Sequence, residues 1–519
     1  MPDSVRAWRH MEDSAAVAGL LWGTWLPASV RRLIASALPG GEQDARRLAV
    51  WLAGVHDIGK ATPAFACQVD QLANRMDAQG LTMRLQQSIG PDRRIAPHGL
   101  AGQVLLGEWL RERHGWMVKQ TGQFTVVVGR HHGVLPGPGQ IAALHKHGQL
   151  LRTPGPSRAE WRRVQDELLD PCADEYGVRD RLDDWRSVKL PQPVQVLLTA
   201  LVIVADWVAG NADLFPYFPQ DVARSSEERV AAAWRGLDLP APWCPDGPEG
   251  DAQELFVSRF GLPPGTKVRP VQEAAVELAR TMDEPGLMVI EAPMGEGKTE
   301  AALAVTEIFA ARSGAGGVFF ALPTMATGNA MFPRLLDWLN RLPGAEDARY
   351  SVLLAHSKAA LNEDFAELMR ESGHRIVAVD VDAPEQRGWR PSDKTRSAPA
   401  ELVAHAWLRG RKKAMLSSFT AGTVDQLLFA GLKSRHLVMR HLAVAGKIVV
   451  IDEAHAYDTY MNVYLGRVLV VRNIVRHRLL PPRQHPSPSR GTSRGRLTYG
   501  RMIACRSGGS GQERVACAL

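Results

Sequence analysis

The sequence predicts a multidomain chain, an all-α domain over residues 1–235 followed by an α/β P-loop domain over residues 263–475. Two observations carry that expectation. The first half is rich in Ala and Leu at helical spacing, as in Leu48 to Val55, Gly99 to Glu112 and Val194 to Val208. The second half switches to short apolar runs each followed by a helical segment: LMVIE then GEGKTEAALAVTEIFAA, GVFFALP then MATGNAMFPRLLDWL, YSVLLAH, and KIVVIDEAH. Strands alternating with helices imply a parallel sheet covered on both faces.

Between these halves, LDLPAPWCPDGPEGD at 237–251 cannot hold a long helix, so residues 236–262 read as a linker. Residues 383–400 (APEQRGWRPSDKTRSAPA) are polar and Pro-bearing and read as an exposed insertion. The last segment, 476–519, contains PPRQHPSPSRGTSRGR and has little apolar periodicity, so it is expected not to form a packed core.

At 519 residues the chain can hold two to four domains, and 45% hydrophobic with 23% charged residues is ordinary globular composition. The longest apolar stretch, Val196 to Val208, is interrupted by Asp206 and is short for a bilayer span. With no secretory pattern at the N-terminus, a cytoplasmic protein without membrane partners is expected. Five scattered cysteines, none in a C-x-x-C pair, predict neither disulfides nor a zinc ribbon. The formal charge of +7 is a property of the tail: from Arg472 onward there are ten Arg against one acid, so residues 1–471 carry about −2.

Candidate ligands for a metal stand in the helical half. His56 and Asp57 follow the apolar LAVWLAGV, His131 and His132 follow another apolar run, and Asp206 interrupts LLTALVIVADWVAG. A carboxylate in such surroundings needs a partner, and a cation would supply one. In the second half, APMGEGKT at 292–299 follows a strand and opens a helix. Gly295, Glu296 and Gly297 bring main-chain N–H groups to phosphate, Lys298 reaches the β- and γ-phosphates, and Thr299 ligates Mg²⁺. DEAH at 452–455 follows the strand KIVVI, where Asp452 would hold Mg²⁺ and Glu453 polarise the attacking water.

The order H…HD…H…HH…D resembles HD-type phosphohydrolases. The strings HDIGKATPAFACQ and ADWVAGNADLFPYF resemble the nuclease domain of the CRISPR-associated helicase-nuclease of type I systems, most like subtype I-E. That resemblance implies one metal on His10, His56, Asp57 and Asp206, and a second on Asp57, His98, His131 and His132, with Asp57 bridging. It implies a catalytic role for Asp57 and a contact of Lys60 with the scissile phosphate. A mixed imidazole and carboxylate set favours two divalent ions of the Mn, Fe, Co or Ni kind over Mg.

The P-loop beginning with Ala292 and the DEAH box resemble superfamily 2 helicases. The resemblance implies ATP with Mg²⁺ as cofactor, adenine reading by Arg269 and Gln272, coupling through His455, and contacts of Thr324 and Thr423 with DNA phosphates. A Ser-Ala-Thr strand and a second RecA-like lobe are expected after DEAHAYDTYMNVYLGRVL and are not recognisable, so a truncated or frameshifted member is the expectation.

The implied function is metal-dependent cutting of single-stranded DNA in type I CRISPR interference, with an RNA-guided surveillance complex as partner. Its ATP-dependent 3′–5′ helicase activity is expected to be lost with the second lobe. The alternatives are a non-catalytic remnant or partner-binding module, and an HD-type nucleotide phosphohydrolase.

Overall fold

The computed structural model describes residues 3–371 except 84–91, 217–224, Pro285 and Asp347. It also describes 401–454 with short breaks, 461 and 463–465, and the segments 501–507 and 514–518. The polar segment 383–400, residues 476–500 and His455 lie outside the described residues. Two compact units emerge, one of residues up to Trp25 with Arg31–Asp238, the other of Leu26–Val30 with the chain from Leu239 onward.

The first unit is helical, built on α1 (Asp3–Leu20), α2 (Gly41–Gly54), α3 (His98–His114), α4 (Val118–Gly129), α5 (Ser157–Glu175) and α6 (Gln192–Ala209). Helix α6 is mostly apolar, and Leu197 to Ala205 are buried without interruption, as expected of a central core helix. By length and composition α6 could cross a membrane, but it is packed by α1, α2 and α4. Asp44 of α2, 1% exposed, accepts from Arg181 twice at 2.9 Å, from Trp185 Nε1 at 3.0 Å and from the Gly40 amide at 2.9 Å. A buried carboxylate fully supplied with donors in this way is tolerated, and it ties α2 to the chain before α6.

The second unit is a sheet of β1 (Leu287–Ala292), β2 (Val318–Leu322), β3 (Arg349–Ala355), β4 (Glu401–Val403), β5 (Phe419–Thr423), β6 (Ile448–Ile451), β7 (Arg501–Ser507) and β8 (Arg514–Ala518). The order is β4-β3-β5-β2-β6-β7-β1-β8, and every pairing is parallel except β1 with β8. All five residues of β2 and of β5 are buried, the pattern of a parallel sheet covered on both faces.

Two expectations of the sequence need correction. The segment 236–262 is no free linker. Trp243 is 5% exposed, with its ring 5.5 Å from Trp338 and 5.4 Å from Phe419, and α7 (Ala252–Phe260) packs Leu255 and Phe256 into the same core. The Pro/Gly run does lack helix up to Gly250, but Asp251 accepts from the Glu254 amide at 2.8 Å while Glu254 accepts from the Asp251 amide. This capping box was legible as D-x-x-E just past the prolines.

The tail likewise contributes two strands. β7 lies between β1 and β6, pairing Leu287 with Met502 and Ile448 with Arg501, and β8 closes the outer edge of β1. Without a strand in that gap, β1 and β6 would face each other with unpaired main-chain groups. The apolar run Met502 to Cys505 is short, and the Arg, Ser and Gly around it hide it when composition is averaged over 476–519.

Helix α7 is fastened to α9 (Lys298–Ser313) by Arg259, 8% exposed, whose guanidinium donates to both oxygens of Glu307, 1% exposed, at 2.8–3.2 Å. Removing one member leaves a buried unpaired charge. Glu307→Ala is therefore expected to destabilise the second unit by about 3–5 kcal/mol, read as an earlier urea transition with unchanged metal binding by the helical unit.

Candidate metal centre and nucleotide site

The metal ligands predicted from sequence converge in the first unit, and backbone packing decides how. α2 ends at Gly54 and the chain turns so that His56 (0% exposed) and Asp57 (2%) point into the unit. His10 comes from α1, Asp206 from the C-terminal half of α6, His98 opens α3, and His131 and His132 follow α4.

Asp57 stands in the middle. Its Oδ2 lies 3.6 Å from His10 Nε2 and 3.5 Å from His56 Nε2, while its Oδ1 lies 3.5 Å from His98 Nε2 and 3.6 Å from His131 Nε2. Asp206 Oδ1 is 3.1 Å from His10 Nε2 and 3.5 Å from His56 Nε2. On the other side His132 Nε2 meets His98 Nε2 at 2.5 Å. Two trios result, His10–His56–Asp206 and His98–His131–His132, each with donor atoms close enough together for one cation.

The tautomers are set locally. His56 Nδ1 donates to the Ala53 carbonyl and His131 Nδ1 to the Val128 carbonyl, both at 2.6 Å. A carbonyl only accepts, so each Nδ1 carries a proton, and in the neutral ring Nε2 turns its lone pair toward the centre. His56 Nε2, His131 Nε2 and Asp57 Oδ1 are buried and make no hydrogen bond. Three orphaned acceptors in one place are costly in a protein interior and fit a cation.

The electrostatics divide the histidines: burial lowers the pKa of His56, but Asp57 and Asp206 outweigh it and raise it. Burial pushes His98 down to about 4 and His131 to about 3, so both rings are neutral at pH 7. Burial opposes ionisation of Asp57, but His56, Lys60, His131 and His10 outweigh it and hold the carboxyl well below the usual range. Asp206 is likewise held low against burial by His10 and His56.

Lys60 pairs with Asp57 Oδ2. Its ammonium also lies 5.9 Å from the Phe65 ring centre, and that ring stands edge-on to His98 at 5.4 Å. Phe65 and Gly59 sit inside the quoted string HDIGKATPAFACQ, yet sequence reasoning assigned them no role. Neither has a charge or donor to signal one.

In the second unit, every predicted nucleotide residue that is described lies at the C-terminal edge of the parallel sheet. β1 leads into Gly295 and Gly297, with φ of 84° and 72°, then α9 begins at Lys298 with Thr299 in its first turn. Lys298 Nζ donates to the Ala292 and Pro293 carbonyls at 2.9 Å. Gln272, on α8 (Pro270–Thr281), donates to the Gly297 carbonyl at 3.3 Å, and Arg269 contacts the Gly295 carbonyl and Glu296.

β6 delivers Asp452, whose Oδ1 accepts from the Glu453 amide at 2.9 Å, and Glu453 itself has φ of 48°. Burial holds the Asp452 carboxyl above its ordinary range, a penalty that Lys298 and Arg334 reduce. Thr324 caps α10 (Met325–Leu339) by accepting from the Thr327 amide at 3.1 Å. Thr423 pairs in register with Leu322 on the adjacent strand.

Residues 2–215 match the family model described as Cas3, HD domain. The chain is 33% identical over 480 residues to a CRISPR-associated nuclease/helicase Cas3 of Streptococcus thermophilus, covering 88% of this chain and 48% of that protein. It is 32% identical over 463 residues to a CRISPR-associated endonuclease/helicase Cas3 of Thermus thermophilus, covering 89% and 46%. Among solved structures, that of T. fusca Cas3-ATP superposes with a TM-score of 0.69 at 26% identity, over 96% of this chain and 48% of that one. The chain thus spans about half the length of the curated relatives it matches.

A methyl group on Gly297 would stand 2.1 Å from Gln272 Nε2, on a backbone already in the left-handed region. Gly297→Ala is expected to weaken binding of a fluorescent ATP analogue at least about tenfold, about 1.4 kcal/mol, while divalent-metal binding by the helical unit stays unchanged.

Proposed function

The chain belongs to the Cas3 family of CRISPR-associated nuclease/helicases, and from that premise we propose that residues 1–235 form a metal-dependent nuclease acting on single-stranded DNA in type I CRISPR interference. The observation that carries the reading is the division of Asp57. Each of its oxygens faces a separate donor trio, and the Nε2 atoms of His56 and His131, one in each trio, lack any hydrogen bond. His10, His56 and Asp206 would hold one divalent ion and His98, His131 and His132 the other, with Asp57 shared.

The imidazole content favours Mn, Fe, Co or Ni. Such ions, when bound, supply Lewis acidity and an activated water for phosphodiester hydrolysis. The protein's own part is to keep His98 and His131 neutral, to present Nε2 lone pairs by holding Nδ1 on main-chain carbonyls, and to set a cation beside the centre. Lys60, paired with Asp57, would be that cation and would contact the scissile phosphate.

In the second unit the P-loop main chain and Lys298 would take the phosphates of ATP, Thr299 and Asp452 its Mg²⁺, and Glu453 the attacking water. Arg269 and Gln272 would read the base, and Thr324 and Thr423 the DNA backbone. The partner proposed is the RNA-guided surveillance complex that exposes the strand, and the location the cytoplasm. The described residues provide one RecA-like sheet, so the 519-residue chain assayed alone is expected to bind ATP without unwinding DNA. Robust DNA-stimulated ATPase would overturn that part.

Incubated with Mn²⁺, Co²⁺ or Ni²⁺ and no ATP, the purified chain is expected to degrade single-stranded DNA and to stop on addition of EDTA. Loss of a residue that merely supports a metal ligand costs about 10–100-fold, so Asp57→Ala is expected to lower the rate more than about 100-fold. A wild-type chain that cleaves dNTPs but leaves DNA intact would point instead to a nucleotide phosphohydrolase.

A further inference from the structure

The glycine of HDIGK has no obvious duty in the sequence, yet among the described glycines of the helical unit it is the one at which an added Cβ would come nearest to main chain. A Cβ on Gly59 would lie 1.9 Å from the His98 carbonyl oxygen and 2.6 Å from the Gly102 amide nitrogen. Both are main-chain atoms of α3, so no side chain can swing aside. Nor is this a left-handed turn position: Gly59 is absent from the residues with positive φ, so what it supplies is space.

The contact belongs to a set. A Cβ on Gly102 would stand 3.3 Å from the Gly59 amide nitrogen, 3.5 Å from the His56 carbonyl and 3.1 Å from Val128. One on Gly99 would stand 3.2 Å from the Gly129 carbonyl and 3.4 Å from His131 Cε1. The turn after His56-Asp57, the first turn of α3 and the end of α4 therefore meet main chain to main chain.

The three segments carry the shared carboxylate and the second trio. His98 begins α3 and His131 and His132 follow α4, and His98 and His131 already reach Asp57 Oδ1 at 3.5–3.6 Å. The first trio comes from α1, α6 and His56, whereas the atoms nearest a Cβ on Gly59 are all main chain of α3. We infer that Gly59 is a positioning residue that holds α3 against the His56-Asp57 turn, so that the His98 side of the centre, and not the His10 side, depends on the absence of a side chain there. A methyl group at 59 must push the start of α3 outward, opening the distance from His98 to Asp57 while His10, His56 and Asp206 keep theirs.

This inference rests on the two-metal reading, and a binding experiment separates the two. Calorimetric titration of the full chain with Co²⁺, followed also by its visible spectrum, is expected to give two ions for wild type. Gly59→Ala is expected to give one, with the first ion's affinity and the helical circular dichroism unchanged. Gly122→Ala, on α4 where a Cβ meets nothing within 4 Å, is expected to keep both.

Two ions at wild-type affinity in Gly59→Ala, or equal loss of both, would overturn the inference, whereas a wild type that binds no Co²⁺ would sink the metal reading itself. Should Gly59→Ala fail to fold, Gly99→Ala decides. Its milder 3.2 Å contact is expected to weaken the second ion about tenfold and leave the first alone, and an unaltered second ion would count against the inference.

Discussion

A carboxylate with 2% exposure at the bottom of a helical bundle is the constraint from which the rest of the first unit follows. Asp57 is held ionised against burial with His10, His56, Lys60 and His131 gathered around it. Those groups come from three places in the chain, so the helices that bear them must meet at one point. The apolar wall of α6 provides the meeting place, and the polar face of that wall is Asp206. A bundle with ordinary apolar packing at that point would have no need of so many converging imidazoles.

The convergence is set more by main chain than by side chains. The Ala53 and Val128 carbonyls, each three residues before a buried histidine, choose the tautomer at His56 and His131. Glycines at 59, 99 and 102 then let the segments that bear the candidate ligands approach to backbone contact. Side chains of any size there would spread the trios apart. The rigidity needed to hold donors aimed at a common point comes from that close approach.

The second unit solves a different problem by topology. Parallel strands place their C-terminal ends along one edge, so the end of β5 and the loops after β1, β2 and β6 bring Thr423, Gly295, Thr324 and Asp452 to a common rim despite their separation in sequence. Opposed charges then tie the rim together: Lys298 and Arg334 ease the buried Asp452, and Arg269 reaches Glu296. The positive φ of Glu453 marks the turn that swings the DEAH acids off the end of β6.

Much of this was legible in the sequence. Helical spacing and strand–helix alternation identified both units, because period and apolar runs are local. The motifs named the candidate residues, because catalytic carboxylates and glycine loops are chemically distinctive. Trp243 and the strand Arg501–Ser507 were misplaced, since burial of a Pro-flanked tryptophan and pairing of a short apolar run depend on partners far along the chain.

The sequence by itself determined which side chains are candidates to hold a cation and which loop is the candidate to cradle a phosphate. Only the tertiary structure decided that Asp57 divides its two oxygens between two trios, and that Gly59 is there for space rather than for a turn. Both are matters of distance between segments about 40 to 150 residues apart, and no local pattern encodes the gap between two backbones.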